Sequence, residues 1–252
     1  MNKSNLEFSE KIHSKEPVKS ADRRNFLKNA GMITAAGVMV MAGCKKDDTV
    51  TPAATVDLGS GDVGILNYAY ALEQLEAAFY IQVVATPYTG ITDSEKTLLT
   101  EIRDHEIIHR EFFKAALGTN AIPGLDVNFS KIDFTSRASV LGTAKVFEDT
   151  GVTAYNGAGR LIKDANYLLL AGKIVSVEAR HAAAIRDLLQ PNSAYFAGDD
   201  VVSTTNGLDA AKKPSEILAA VQPYIKTIIS GANLPTFSNS DIKLKIFIVA
   251  FV

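Results

Sequence analysis

Two short segments carry the residues best able to do chemistry. Glu106-Ile107-Ile108-His109 places an imidazole one helical turn after a carboxylate, and Glu178-Ala179-Arg180-His181 repeats the pairing. A lone glutamate stands upstream of each copy, Glu73 before the first and Glu148 before the second. Each of these is followed seven residues later by a tyrosine, Tyr80 and Tyr155. The order Glu…Tyr…Glu-x-x-His is therefore written twice. Residues three apart on an α-helix share a face, with Cβ atoms about 5–6 Å apart, so a Glu-x-x-His pair can offer one oxygen and one ring nitrogen to a single metal ion. Two such pairs, with one glutamate from each of two further helices, supply four carboxylates and two imidazoles. That set suits two divalent cations inside a four-helix bundle, and the four acids offset the charge of both ions. Without cations, four neighbouring acids could not all stay ionised. A single Glu-x-x-His is more often a solvated ion pair. Two copies, both on apolar stripes and both preceded by a matching glutamate, favour the metal site.

Four helices are needed to position these residues, and the periodicity supplies them. Segment A runs from about Asp62 to Val84, with Leu66, Tyr70, Glu73, Ala77, Tyr80 and Val84 at three- and four-residue steps. Asp62 is its expected N-cap, and Thr86-Pro87-Tyr88-Thr89-Gly90 turns the chain. Segment B starts at Asp93 or Ser94 and runs through Leu99, Ile102, Glu106, His109 and Phe113 to Leu117, where Gly118 stops it. Thr119 to Thr135 is a long irregular connection, suited to crossing the length of a bundle. Segment C spans about Ser136 to Ile162 and segment D ends at Leu189, with Ile174, Glu178, His181 and Ile185 on its inward face. Glycines 142, 151, 157 and 159 weaken segment C as an isolated helix. Close packing of neighbours is the preferred explanation, a broken helix the alternative. The expected fold is thus all-α: a four-helix bundle over residues 62–190 with one long crossover between helices B and C. A small C-terminal extension, residues 191–252, holds a short helix at Pro214 and no strand before residue 235.

The first 43 residues are expected to lie outside the fold. Arg23-Arg24-Asn25-Phe26-Leu27-Lys28 followed by an apolar run from Ala30 to Gly43 resembles a twin-arginine export signal, and the run is too short to span a bilayer. Met41-Ala42-Gly43-Cys44 resembles a lipobox, which implies lipidation of Cys44 and a membrane anchor. Lys45-Lys46-Asp47-Asp48 resembles a surface-export tag or serves as a solvated spacer. Residues 44–61 read as the lipidated N-terminus and a flexible tether. The expected location is the periplasm or cell envelope.

The chain has 252 residues, 47% hydrophobic and 21% charged, with a formal net charge of −2. Removing the leader leaves a mildly acidic remainder of roughly 200 residues, enough for one domain with its own core. The remainder has no basic run, which argues against nucleic-acid binding. The single cysteine excludes an intramolecular disulfide.

Residues 62–190 resemble the ferritin-like superfamily. The segments Leu66–Tyr80, Phe147–Ala158 and Glu178–Arg186 look like the desiccation-related ferritin-like domain family, whose C-terminal part is echoed in Pro214–Ile229. The resemblance implies a dinuclear carboxylate centre, with iron ahead of manganese. Glu106 and Glu178 would bridge the ions, Glu73 with His109 would complete one, and Glu148 with His181 the other. Tyr80 and Tyr155 would hydrogen-bond the carboxylates or lend an electron. Glu76 is the rival to Glu73, one turn along the same face, but only Glu73 has the seven-residue step to a tyrosine. His105 with Glu101, and Asp104 with Glu111, are expected at the surface; Asp149 points about a quarter-turn away from Glu148. The implied partners are metal ions and O2 or peroxide, in Fe(II) oxidation or peroxide removal during stress. A di-manganese catalase-like enzyme and a non-catalytic, metal-free envelope module are the alternatives. A homo-oligomer is compatible with the sequence, whereas the tether and extension would crowd a closed cage.

Overall fold

In the computed structural model, residues 55–236 are described. The expected export signal (1–43), the expected lipidation at Cys44 and the residues after 236 lie outside the described residues.

Local sequence sets the helix ends. Helix α1 is Gly61–Ala85 and α2 is Asp93–Leu117. Thr92 opens α2 with a capping box: its hydroxyl accepts from Glu95 N–H, while the Glu95 carboxylate accepts from Thr92 N–H. Gly118 closes α2 at φ 54°, a conformation that favours glycine. Helix α3, Arg137–Gly159, is capped by Ser136, and α4, Ala165–Leu189, by Asp164, whose carboxylate accepts from the backbone of Asn166 and Tyr167. Helix α3 runs unbroken through its glycines, and neighbours pack tightly at Gly151 and Gly157, whereas a Cβ at Gly142 would meet nothing within 4 Å. A Cβ on Gly157 would stand 1.7 Å from the Lys212 carbonyl oxygen of a crossing segment, so no larger residue fits there.

The four long helices form the expected bundle, α1 packing on α2 and α3 on α4. Residues 118–136 make the crossover, and α1 holds that connection in place. Asn67 accepts from Ile122 N–H and donates to the carbonyls of Leu58 and Asn120. Gln74 accepts from Leu125 N–H at 2.8 Å. Phe129 and Phe134 of the crossover stack on Phe79. Covered on its outer side as well, α1 is buried without a break from Gly64 to Ala77. At the bundle's end Arg137 of α3 ties α2 to α4, donating to Glu95 and to the Leu188 carbonyl.

The C-terminal extension contains the expected short helix, α5 (Pro214–Val221). Two features depart from expectation. Thr55–Asp57, read as the end of a flexible tether, is strand β1, paired in parallel with β2, Ile228–Ser230. Strands of three residues leave too little alternation to be seen in sequence. Arg186, nearly fully buried, clamps residues 195–200 to the bundle through Asp149, Asp200 and the Tyr195 carbonyl. Asp149 thus faces away from the repeated motif, as expected. Among the described residues, no helix is long and apolar enough to cross a membrane.

Candidate metal centre

Each long helix delivers its share of the repeat to the middle of the bundle. Glu73 comes from α1, Glu106 and His109 from α2, Glu148 from α3, and Glu178 and His181 from α4. The four carboxylates are fully buried, and the imidazoles are outermost, with side chains 12% exposed at His109 and 6% at His181. The least buried members of the site therefore lie on the α2–α4 side.

The arrangement has two matching halves. His109 Nδ1 lies 2.8 Å from Glu178 Oε1, 3.5 Å from Glu73 Oε2 and 3.7 Å from Glu106 Oε2. His181 Nδ1 lies 2.8 Å from Glu106 Oε1, 3.5 Å from Glu148 Oε2 and 3.6 Å from Glu178 Oε2. Glu106 and Glu178 each present one oxygen to either half, the disposition of bridging carboxylates. Glu73 and Glu148 each serve one half. Within each group of four residues the ligand atoms lie within 4.8 Å of one another. These eight inward atoms are buried and make no hydrogen bond with proper geometry. Buried polar atoms are otherwise almost always paired, so this concentration fits two shared cations.

The opposite oxygens are anchored. Tyr80 Oη on α1 donates to Glu148 Oε1 at 2.5 Å, and Tyr155 Oη on α3 donates to Glu73 Oε1. Each tyrosine thus serves the glutamate of the other helix, not the one seven residues before it. Burial and the neighbouring carboxylates raise both phenols well above their usual range, so both stay protonated donors.

A ferritin-like domain model matches residues 61–191. The chain belongs to the ferritin-like family. No curated protein matches it. Membership in this family accords with the bundle, its crossover and the carboxylate–histidine clusters, whose donors fit a pair of metal ions.

Electrostatics show how strongly the ferritin-like site wants positive charge. Burial raises Glu73, with Glu178 adding to the effect. Burial likewise lifts Glu148 to about 8, against the pull of His181. For Glu106 burial also acts upward, but His109 and His181 outweigh it and hold the group at about 2. Burial would lower His181, yet Glu106, Glu148 and Glu178 push it up to about 12. In the protein alone the imidazoles therefore stand in as the cations.

Two residues outside the expected set belong to this environment. His105 is exposed, as expected, and places Nδ1 2.9 Å from His181 Nε2, with the rings stacked at 5.1 Å. Whether His181 Nδ1 carries a proton or would ligate a cation, its Nε2–H can donate to His105 Nδ1, which orients the ring. The contact crosses from α2 to α4, so spacing along one helix gave no sign of it. Glu76, weighed as the rival to Glu73, is buried as well, and burial followed by the charges of Glu106 and Glu178 raises it well above the usual carboxylate range.

Proposed function

We propose that this protein holds a dinuclear carboxylate centre, iron ahead of manganese, and uses it to oxidise Fe(II) or consume peroxide in protection of the bacterial envelope against stress. The convergence of eight unpaired donor atoms from Glu73, Glu106, His109, Glu148, Glu178 and His181 carries the reading. A redox-active pair, when bound, supplies two electrons to one peroxide or dioxygen.

The chain's own residues prepare the site. Tyr80 and Tyr155 fix Glu148 and Glu73 by one oxygen and leave the other turned inward. Phe79 packs edge-on against Tyr80 and Phe147, keeping water from the α1–α3 side. His105 orients His181. The likeness of Leu66–Tyr80 and its repeat to desiccation-related members supports a protective role. Arg23-Arg24 with its apolar run supports twin-arginine export, and Cys44 supports a lipid anchor. Export of an already folded chain would let the centre be loaded beforehand.

The test adds Fe(II) anaerobically to the metal-free protein and then admits oxygen or peroxide, following ferric absorbance. The expected result is oxidation faster than in buffer, lost in Glu106→Ala. Peroxide breakdown with Mn(II) but no Fe(II) oxidation would move the assignment to a catalase-like enzyme. Silence in both assays, with metal unbound, would leave a non-catalytic helical module.

A further inference from the structure

The two halves of the repeat match at Glu73 and Glu148, and at Tyr80 and Tyr155. Between those shared residues they differ, most tellingly at the position one helical turn after the glutamate. Three residues after Glu73 stands Glu76; three residues after Glu148 stands Gly151. Glu76 is only 4% exposed, and its Oε2 is buried without a hydrogen-bond partner, as are the eight donors already described. Its carboxylate lies over the bare Gly151 backbone: a Cβ at 151 would stand 3.2 Å from Glu76 Oε1 and 3.8 Å from Oε2. One helix has given up its side chain where the other inserts a carboxylate. The same point is 3.9 Å from Glu178 Oε2, the bridging oxygen facing His181.

We infer that Glu76, seated on Gly151 beside the two donor groups, joins the centre as a fifth carboxylate when cations bind and makes the two metal positions inequivalent. The inference rests on the dinuclear reading above. An unpaired buried carboxylate costs several kcal/mol unless a cation or a proton meets it, and bound cations would take the place of that proton. Five carboxylates carry one more negative charge than two divalent ions neutralise, so the set favours a pair of higher total charge. The repeat, symmetric in its other ligands, thereby gains a strong and a weak position.

The experiment titrates the metal-free full-length protein, Glu76→Gln and Gly151→Ala with Mn(II) by calorimetry, and with Co(II) by visible absorption. The wild type is expected to bind two ions in two distinguishable steps. Glu76→Gln should still bind two, with one step weakened at least about tenfold, the other within about twofold, and altered Co(II) bands. Gly151→Ala should weaken the same step less, because the new methyl only nudges the carboxylate. Replacing an unpaired buried charge with a neutral amide should leave the metal-free melting temperature of Glu76→Gln equal or higher. Two steps unchanged in Glu76→Gln overturn the inference alone, as does equal weakening of both steps with a lowered melting temperature. A wild type that binds no metal overturns the dinuclear reading and this inference with it.

Discussion

Helices α1 and α3 are two versions of one design. Each brings a glutamate to the centre and a tyrosine that holds the other's glutamate, so each helix finishes the site its mate begins. Their surroundings differ. Helix α1 is wrapped by the crossover and buried without a break from Gly64 to Ala77, whereas burial along α3 is interrupted at positions such as Val146. The most telling chemical difference is one pair, Glu76 against Gly151. Duplication accounts for the shared ligands, and departure from it marks where the two metal positions can diverge.

The comparison can be broken most severely at a residue common to both halves. Glu106→Ala removes an oxygen from each half and should drop bound metal from about two ions to below one, measured by elemental analysis after dialysis. His109→Ala and His181→Ala each strip one half only. Each should lose about one ion, and spectra of the remaining Co(II) should differ between the two variants if the halves are inequivalent.

A pH series sharpens the electrostatic side. Glu148, raised to about 8, and His181, raised to about 12, both bind protons more tightly folded than unfolded. Their contribution is complete below their unfolded values, near 4.5 for the glutamate and 6.5 for the histidine. It declines as pH rises toward the folded values. The metal-free protein should therefore lose melting temperature between about pH 6.5 and 8.5, and Mn(II) should restore it. The apparent metal affinity should rise over the same window, since binding expels protons. A flat profile in both would contradict the charge assignment. The smallest effects are expected at the tyrosines. Tyr80→Phe and Tyr155→Phe each remove one hydrogen bond to a carboxylate and should weaken metal binding about three- to tenfold, consistent with about 1 kcal/mol. Near-equal losses would support the symmetry of the two cross-bonds.

Much of this was legible in the sequence because it is local. Gly118 and Ser136 mark helix ends through their own backbone chemistry, although the cap expected at Asp62 falls at Ser60, and three- and seven-residue steps place Glu, Tyr and His on one helical face whatever surrounds them. The crossover showed itself as an irregular stretch too long for a turn. What stayed hidden depends on partners across helices. Spacing tied Tyr80 to Glu73, but its bond goes to Glu148. His105 is the surface residue it looked to be, but its contact with His181 lies across on α4 and left no trace in spacing. Glu76 lost to Glu73 on the tyrosine criterion, although the bundle buries both and Gly151 makes room for the second. The β1–β2 pairing joins the two ends of the domain through strands too short to leave a pattern.

The central claim is that six side chains on four helices hold a pair of metal ions. Anaerobic titration of the metal-free protein with Fe(II) or Mn(II), read as moles bound per chain beside Glu106→Ala, tests it most directly. Two ions in the wild type and fewer than one in the variant are predicted. No retained metal in the wild type, or two ions in both proteins, would contradict it.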